Sequence, residues 1–255
     1  MISERKQRMI KLERTQTLNW EAAIRGMRNP MNSWELSDST VCPNADGFED
    51  CTVSCLGKCP RGDDPKWNEA IFCIGPNDLS LMKKLIKSGS DHRKFMRQIF
   101  VSVDITAPLY WWKEFDTYKV GTVANSCSTM HKIHEKEFTL DDFSHEHLSN
   151  DDYMYGDNEY QYDLAYTYIK VLRGNIFVLN VAREQYLKTR DKKYWWQMIQ
   201  LLPSSYNQKR TVTLNYENLF NMYHARKNHK LDEWRTLCEW IESLPYAKEL
   251  IGEQR

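Results

Sequence analysis

No apolar run in the 255-residue chain approaches the roughly 20 residues that a membrane-spanning helix needs. Nor does charge of either sign prevail, because 35 Lys and Arg balance 35 Asp and Glu. The first absence argues against a helical membrane protein. The second removes the electrostatic footprint of a nucleic-acid or membrane-surface binder. The opening stretch MISERKQRMIKLERTQTLNW is charged and lacks the apolar region of a signal peptide, so the expectation is a cytoplasmic protein. Internal repeats and low-complexity tracts are also missing. Aromatic residues are abundant, at 13% with nine Trp, which points to a packed globular protein and away from disorder. A chain of this length can bury its core as one large domain or two modest ones.

Without a secretion signal, the seven cysteines are not expected to form a disulfide framework. Four of them, Cys42, Cys51, Cys55 and Cys59, cluster in VCPNADGFEDCTVSCLGKCP, whereas Cys73, Cys127 and Cys238 are scattered. The last three of the cluster recur every fourth residue and would share one face of a helix. Four thiolates suit zinc or an iron-sulfur cluster. Their spacing is not that of a zinc ribbon, and free thiols are the alternative.

The chain divides into an N-terminal cysteine-rich extension, residues 1–76, broken by Pro30, Pro43, Pro60 and Pro65, and a second domain, residues 77–255. NDLSLMKKLIKS reads as a helix opened by an Asn or Asp cap and closed by Gly89. In FMRQIFVSVDIT, Ile99, Val101, Val103 and Ile105 alternate as a strand with one buried face. One long helical pattern runs over residues 159–202. After Pro203 come a strand, KRTVTLN, and two amphipathic helices, YENLFNMYHARKNH and LDEWRTLCEWIESL. The fold class is α+β. The run HEKEFTLDDFSHEHL, near His131, reads as a solvated face, since His134, His145 and His147 are too irregularly spaced for metal ligands.

The stretch TAPLYWWKEFDTYKVGTVANSCSTMHK changes character at its middle. Leu109, Tyr110, Trp112 and Phe115 fit a helix from Pro108 to about Lys119. Gly121, Thr122, Ala124, Asn125, Ser126, Ser128 and Thr129 then suit a loop whose backbone passes close to a polar ligand. Together with the later TLNYENLFNMYHAR, the order of these segments resembles the flavin-dependent thymidylate synthases, the ThyX family. That family has an AP-aliphatic-aromatic helix, an R-H-R-x-x-S-x-N-E-x-S-x-R-Y loop and a T-V-N-x-x-S-L-x-N-F-x-x-L-R element. Thr213, Asn215, Leu219, Asn221 and Arg226 match the last motif without a gap. The resemblance covers roughly residues 77 to 250.

It implies a ThyX-like domain with long helices packed on a small sheet. It also implies FAD reduced by NADPH, a one-carbon unit from methylenetetrahydrofolate, dUMP as acceptor, and a homotetramer. Arg226 takes the place of a cation that steadies charge on the pyrimidine oxygens. Asn215 and Asn221 fall at flavin positions, and His92 aligns near the folate and nicotinamide side. Lys119 replaces the second Arg of R-H-R. Asn125 and Ser128 match the loop's Asn and second Ser if one residue is inserted, and Glu114 stands at a Gln position. Thr117, Tyr118, Ser126 and Met130 replace the first Arg, the His, the Glu and the last Arg, and Ile199 stands where another phosphate-binding Arg is expected. These departures support an alternative, a relative that keeps flavin or nucleotide binding without the chemistry. A metal-binding interaction protein built on the four cysteines is the third reading.

Overall fold

The computed structural model describes residues 10–41, 72–149 and 167–252. The four clustered cysteines therefore lie outside the described residues. In chain order the main elements are β1 (Lys11–Leu18), α1 (Trp20–Arg28), β2 (Thr40–Val41), β3 (Phe72–Cys73), α2 (Pro76–Lys87), β4 (Phe100–Pro108), α3 (Leu109–Phe115), β5 (Val123–Ser126), α4 (Tyr168–Thr189), α5 (Lys192–Leu201), β6 (Asn207–Asn215), α6 (Tyr216–Arg226) and α7 (Asp232–Ser243). A four-stranded sheet runs in the order β1-β4-β6-β5, and β2 pairs antiparallel with β3. The α+β expectation holds, and helices flank a small sheet.

Two compact units share the chain. One comprises Met1–Lys11, Asp104–Thr117 and Asn125–Thr211; the other comprises Leu12–Val103, Tyr118–Ala124 and Val212–Arg255. In the first unit, Ile169, Leu172, Ile176, Leu179 and Ala182 of α4 and Met198 of α5 form a core with Ile133, Phe138 and Phe143. Each of these side chains other than that of Ala182 contributes about 1.5–3 kcal/mol through burial. The run 134–148 is thus not a purely solvated face, because its two Phe residues anchor this core. The long helical pattern is broken at Arg190, which takes a left-handed φ of 58°, and the Asp191 side chain accepts from Lys193 N to start α5. Helix α3 buries Trp111, Trp112 and Phe115 and stops there, short of Lys119. The Thr117 hydroxyl donates to the Glu114 carbonyl and closes that last turn. On α4 a second apolar stripe stays exposed, with Val171 at 57%, Phe177 at 69%, Val178 at 46% and Val181 at 42%.

In the second unit, α1 buries Trp20, Ile24 and Met27, α2 buries Met82 and Ile86, α6 buries Leu219 and Met222, and α7 buries Trp234, Leu237 and Ile241. The expected strand FMRQIFVSVDIT starts late. Phe95 and Met96 are adjacent yet both buried, which a strand cannot achieve on one face, and Lys94–Gln98 is a 3-10 turn instead. Helix α2 opens at Pro76 with Gly75 as N-cap, so neither Asn77 nor Asp78 is the cap. The Asp38 carboxylate fills that role from outside, accepting from Asn77 N at 2.8 Å and Asp78 N at 3.0 Å. A Cβ on Gly75 would stand 2.2 Å from Asp38, so glycine is needed for this approach.

Asp78 is then released for a buried network. Arg28 Nε donates to its Oδ1 at 2.6 Å, and the two side chains are 4% and 0% exposed. Its Oδ2 accepts from Ser37 Oγ, Ser39 Oγ and the backbone N–H groups of Asp38 and Ser39. Burial pushes the Asp78 carboxyl up, but the hydrogen bonds from Ser39, Ser37 and Arg28 and the Arg28 charge outweigh it and hold it below the ordinary value. Its stabilisation is therefore complete above the unfolded carboxyl pKa of about 3.9 and is lost as pH falls through the lower folded value. Arg28→Ala strands a buried carboxylate and should lower unfolding free energy by about 3–5 kcal/mol in urea at neutral pH. Asp78→Asn should flatten the acid limb of stability below about pH 4; an unchanged limb would show that Asp78 does not couple to folding.

Candidate functional site

Strand β6 ends at Asn215, where the backbone turns directly into α6. The turn is secured by a reciprocal cap. Asn215 Oδ1 accepts from Asn218 N at 3.0 Å, and Asn218 Oδ1 accepts from Asn215 N at 3.2 Å. The second amide also reaches outward, because Asn218 Nδ2 donates to the Val120 carbonyl at 2.6 Å. Gly121, at a φ of 74°, lies against this cap, and a Cβ there would stand 2.8 Å from Asn215 Nδ2. Any L side chain at 121 would be strained by the backbone and would crowd the cap.

Residues 118–121 consequently run along α6 from its end to its start. Tyr118 meets the last turn, where Arg226 Nε donates to its hydroxyl at 3.0 Å. The Arg226 guanidinium lies 4.7 Å from the Trp234 ring centroid and 5.7 Å from that of Tyr118. The two rings meet edge to face with centroids 5.9 Å apart, and His229 packs edge-on against Trp234. A guanidinium hydrogen-bonded at Nε and set over aromatic rings is confined to a narrow range of orientations, which suits recognition of a planar acceptor edge.

At the opposite end of α6, Arg93 and Arg97 both engage Glu217, with Arg93 Nε at 3.2 Å. The hydrogen bond with Glu217 raises the Arg97 pKa. Arg93 also lies over the Phe220 ring at 4.2 Å. Two guanidiniums thus share one carboxylate at this end, where Asp91 also acts on Arg97, next to the exposed His92.

The residues expected from the sequence fall into two sets. Asn215, Asn221, Arg226, Lys119 and His92 belong to the second unit, with Asn221 and Lys119 exposed. Asn215 is buried, and its side-chain oxygen serves the cap. Glu114, Asn125 and Ser128 belong to the first unit. Glu114 is half-buried, Asn125 sits on β5, and Ser128 Oγ accepts from His131 N at 2.9 Å. In that unit the position of a missing phosphate cation, Ile199, packs on the apolar core. Arg210 there is held by Asp116 at 2.7 Å and lies over the Trp112 ring at 4.1 Å.

Sequence reasoning missed Asn218, Trp234, Arg93 and Arg97, and left open whether Tyr118 supplies what the family's His does. The Asn-x-x-Asn spacing of a capping box was the available signal for Asn218. Nothing local marked Trp234, whose contact with Arg226 depends on how α6 and α7 pack. Among the described residues no group of His, Cys, Asp and Glu could hold a metal ion, and Cys73, Cys127 and Cys238 are not joined in disulfides. No helix among them is long and apolar enough to cross a membrane.

No protein-family model and no curated protein matches the chain. Solved structures do. Thymidylate synthase X from Helicobacter pylori, crystallised with FAD and dUMP, aligns at a TM-score of 0.58 and 14% identity over 96% of this chain and 98% of its own. The UMP/dUMP methylase PolB from Streptomyces cacaoi, bound with 5-Br dUMP, aligns at 0.52 and 16% identity over 95% of this chain and 94% of its own. The chain therefore has the fold of the flavin-dependent thymidylate synthases and of this nucleotide methylase, at a distance where sequence comparison finds no relative.

Proposed function

We propose that this chain catalyses flavin-dependent reductive one-carbon transfer to a pyrimidine deoxynucleotide, with dUMP as the default acceptor. FAD is the resident cofactor, NADPH the reductant and methylenetetrahydrofolate the carbon donor. The observation that carries this reading is Arg226, a permanently charged group fixed in orientation at the end of α6 on a fold shared with dUMP-binding proteins.

The residues suit the ligands unevenly. The seam along α6 offers uncharged amides, Asn218 and the exposed Asn221, which suit the imide edge of a flavin ring. Any flavin contact by Asn215 would use its Nδ2, which faces Gly121. The phosphates find fewer cations than the resemblance implies. Within the second unit Lys119 and the Arg93–Arg97 pair are the candidates; within the first, taken by itself, Asn125 and Ser128 are neutral donors. Glu114 is assigned to the substrate and His92 to the folate and nicotinamide side. When bound, FAD supplies the reducing equivalents. The chain's own part is to hold the pyrimidine and to place the Arg226 charge where negative charge develops on a carbonyl oxygen.

A second reading, binding of flavin or nucleotide without turnover, is favoured by one observation. Ile199 has joined the apolar core, so the cation expected there is not replaced in place. The clustered cysteines are assigned to zinc or an iron-sulfur cluster.

The exposed stripe of Val171, Phe177, Val178 and Val181 supports the homotetramer that the resemblance implies, since a soluble helix rarely leaves such a face uncovered. Light scattering should report a tetramer, and Phe177→Glu with Val178→Glu should dissociate it. A strict monomer of the unaltered chain would count heavily against this assembly. Protein purified without air should show flavin absorbance, and iron and zinc analysis of the same sample tests the cysteines. With dUMP, folate donor and NADPH, Arg226→Ala should lower kcat by about 100-fold or more while circular dichroism shows the fold intact. Flavin uptake without turnover would establish the second reading, and a colourless protein that takes up no FAD would defeat both.

A further inference from the structure

The group that fixes Arg226 lies outside the pattern of the resembled family. Tyr118 stands where the R-H-R loop has its His, and the sequence leaves open whether it supplies what that His does. In the fold it makes a specific contact, accepting the Arg226 Nε–H at 3.0 Å. An arginine side chain carries about 2 kcal/mol of rotamer entropy, so its terminal nitrogens are aimed only when the stem and the plane are both held. A hydrogen bond at Nε sets the rotation within the plane. The Trp234 ring, 4.7 Å from the guanidinium carbon, and the Tyr118 ring, at 5.7 Å, confine the rest of the group. Neither contact alone does both.

We propose that Tyr118 is a positioning residue for Arg226: its hydroxyl and ring, with Trp234, fix the orientation in which the guanidinium meets the pyrimidine edge. This rests on the role proposed above for Arg226. Tyr118 extends the phenolic oxygen a full ring length from the backbone of residues 118–121, which is anchored elsewhere. Asn218 Nδ2 holds the Val120 carbonyl, and Gly121 packs on the Asn215 cap. The hydroxyl can therefore be removed without releasing the segment, and the remaining phenyl ring keeps the edge-to-face contact with Trp234. An aromatic residue carrying a terminal oxygen is what this position requires. The family's His, shorter and without that oxygen, would need a different arrangement around the same arginine.

Arginine labelled with nitrogen-15 gives a test that does not need turnover. The Arg226 Nε–H resonance, identified by its loss in Arg226→Ala, should shift in Tyr118→Phe and exchange faster with water. Titration with dUMP should show binding weakened roughly 10-fold in Tyr118→Phe, the size of a lost hydrogen bond to a charged group. In the Arg226→Ala background the same change should weaken binding no further. An Nε–H signal that does not move in Tyr118→Phe overturns the proposal. So does an equal loss of dUMP affinity with and without Arg226, which would mark Tyr118 as structural support alone. If dUMP binds equally well to the unaltered chain and to Arg226→Ala, or binds neither, the role of Arg226 itself fails and Tyr118 falls with it.

Discussion

The reciprocal cap between Asn215 and Asn218 is the constraint on which the polar seam of the second unit depends. A strand that runs straight into a helix leaves the helix's first N–H groups without partners unless a side chain supplies them, and an N-cap of this kind is worth about 0.5–2 kcal/mol. Here the cap has a further effect. Because Asn218 uses its oxygen for the cap and its amide nitrogen for Val120, the start of α6 dictates where residues 118–121 lie. That path in turn delivers Tyr118 to Arg226, eleven residues beyond the cap on the same α6 rod.

The same logic orders the charges. Glu217, in the first turn of α6, gathers Arg93 and Arg97, while Arg226 closes the helix on an aromatic wall. Guanidiniums therefore stand at both ends of α6, and uncharged amides lie between. A ligand with an anionic part and a planar, imide-bearing part would find complementary groups along one helix. The cations missing from residues 117–130 are offset only in part by this arrangement, which explains why the loop reads as depleted while the helix reads as intact.

Legibility followed local physics. The junction TLNYENLF was readable because a strand alternation, an Asn cap and a helical period meet there without a gap, and β6, α6 and α7 appear within a few residues of expectation. The fold class was readable from the order of such segments. Strand β5 was not, since all four of its residues are exposed at the sheet edge and no alternation records a buried face. Strand β1 failed for a related reason, with only half-buried and exposed positions. The break between α4 and α5 depends on a left-handed Arg190, which has no sequence signature of the kind glycine provides. Trp234 became part of the site only through packing of α7 on α6, a contact that no local pattern encodes.

The β2–β3 pair has a consequence of another kind. Thr40 faces Cys73 and Val41 faces Phe72, so the chain departs for residues 42–71 and re-enters at neighbouring points of one antiparallel rung. Just outside that rung, Asp38 and Ser39 are tied to the start of α2 through Asp78 and the helix's first N–H groups. The scaffold is thus closed beneath the excursion before it begins. Because the entropy of closing a loop grows only slowly with its length, inserts of very different size could occupy the same exit. The β2–β3 rung therefore tolerates segments of different length between Val41 and Phe72 without loss of the ties that hold the start of α2.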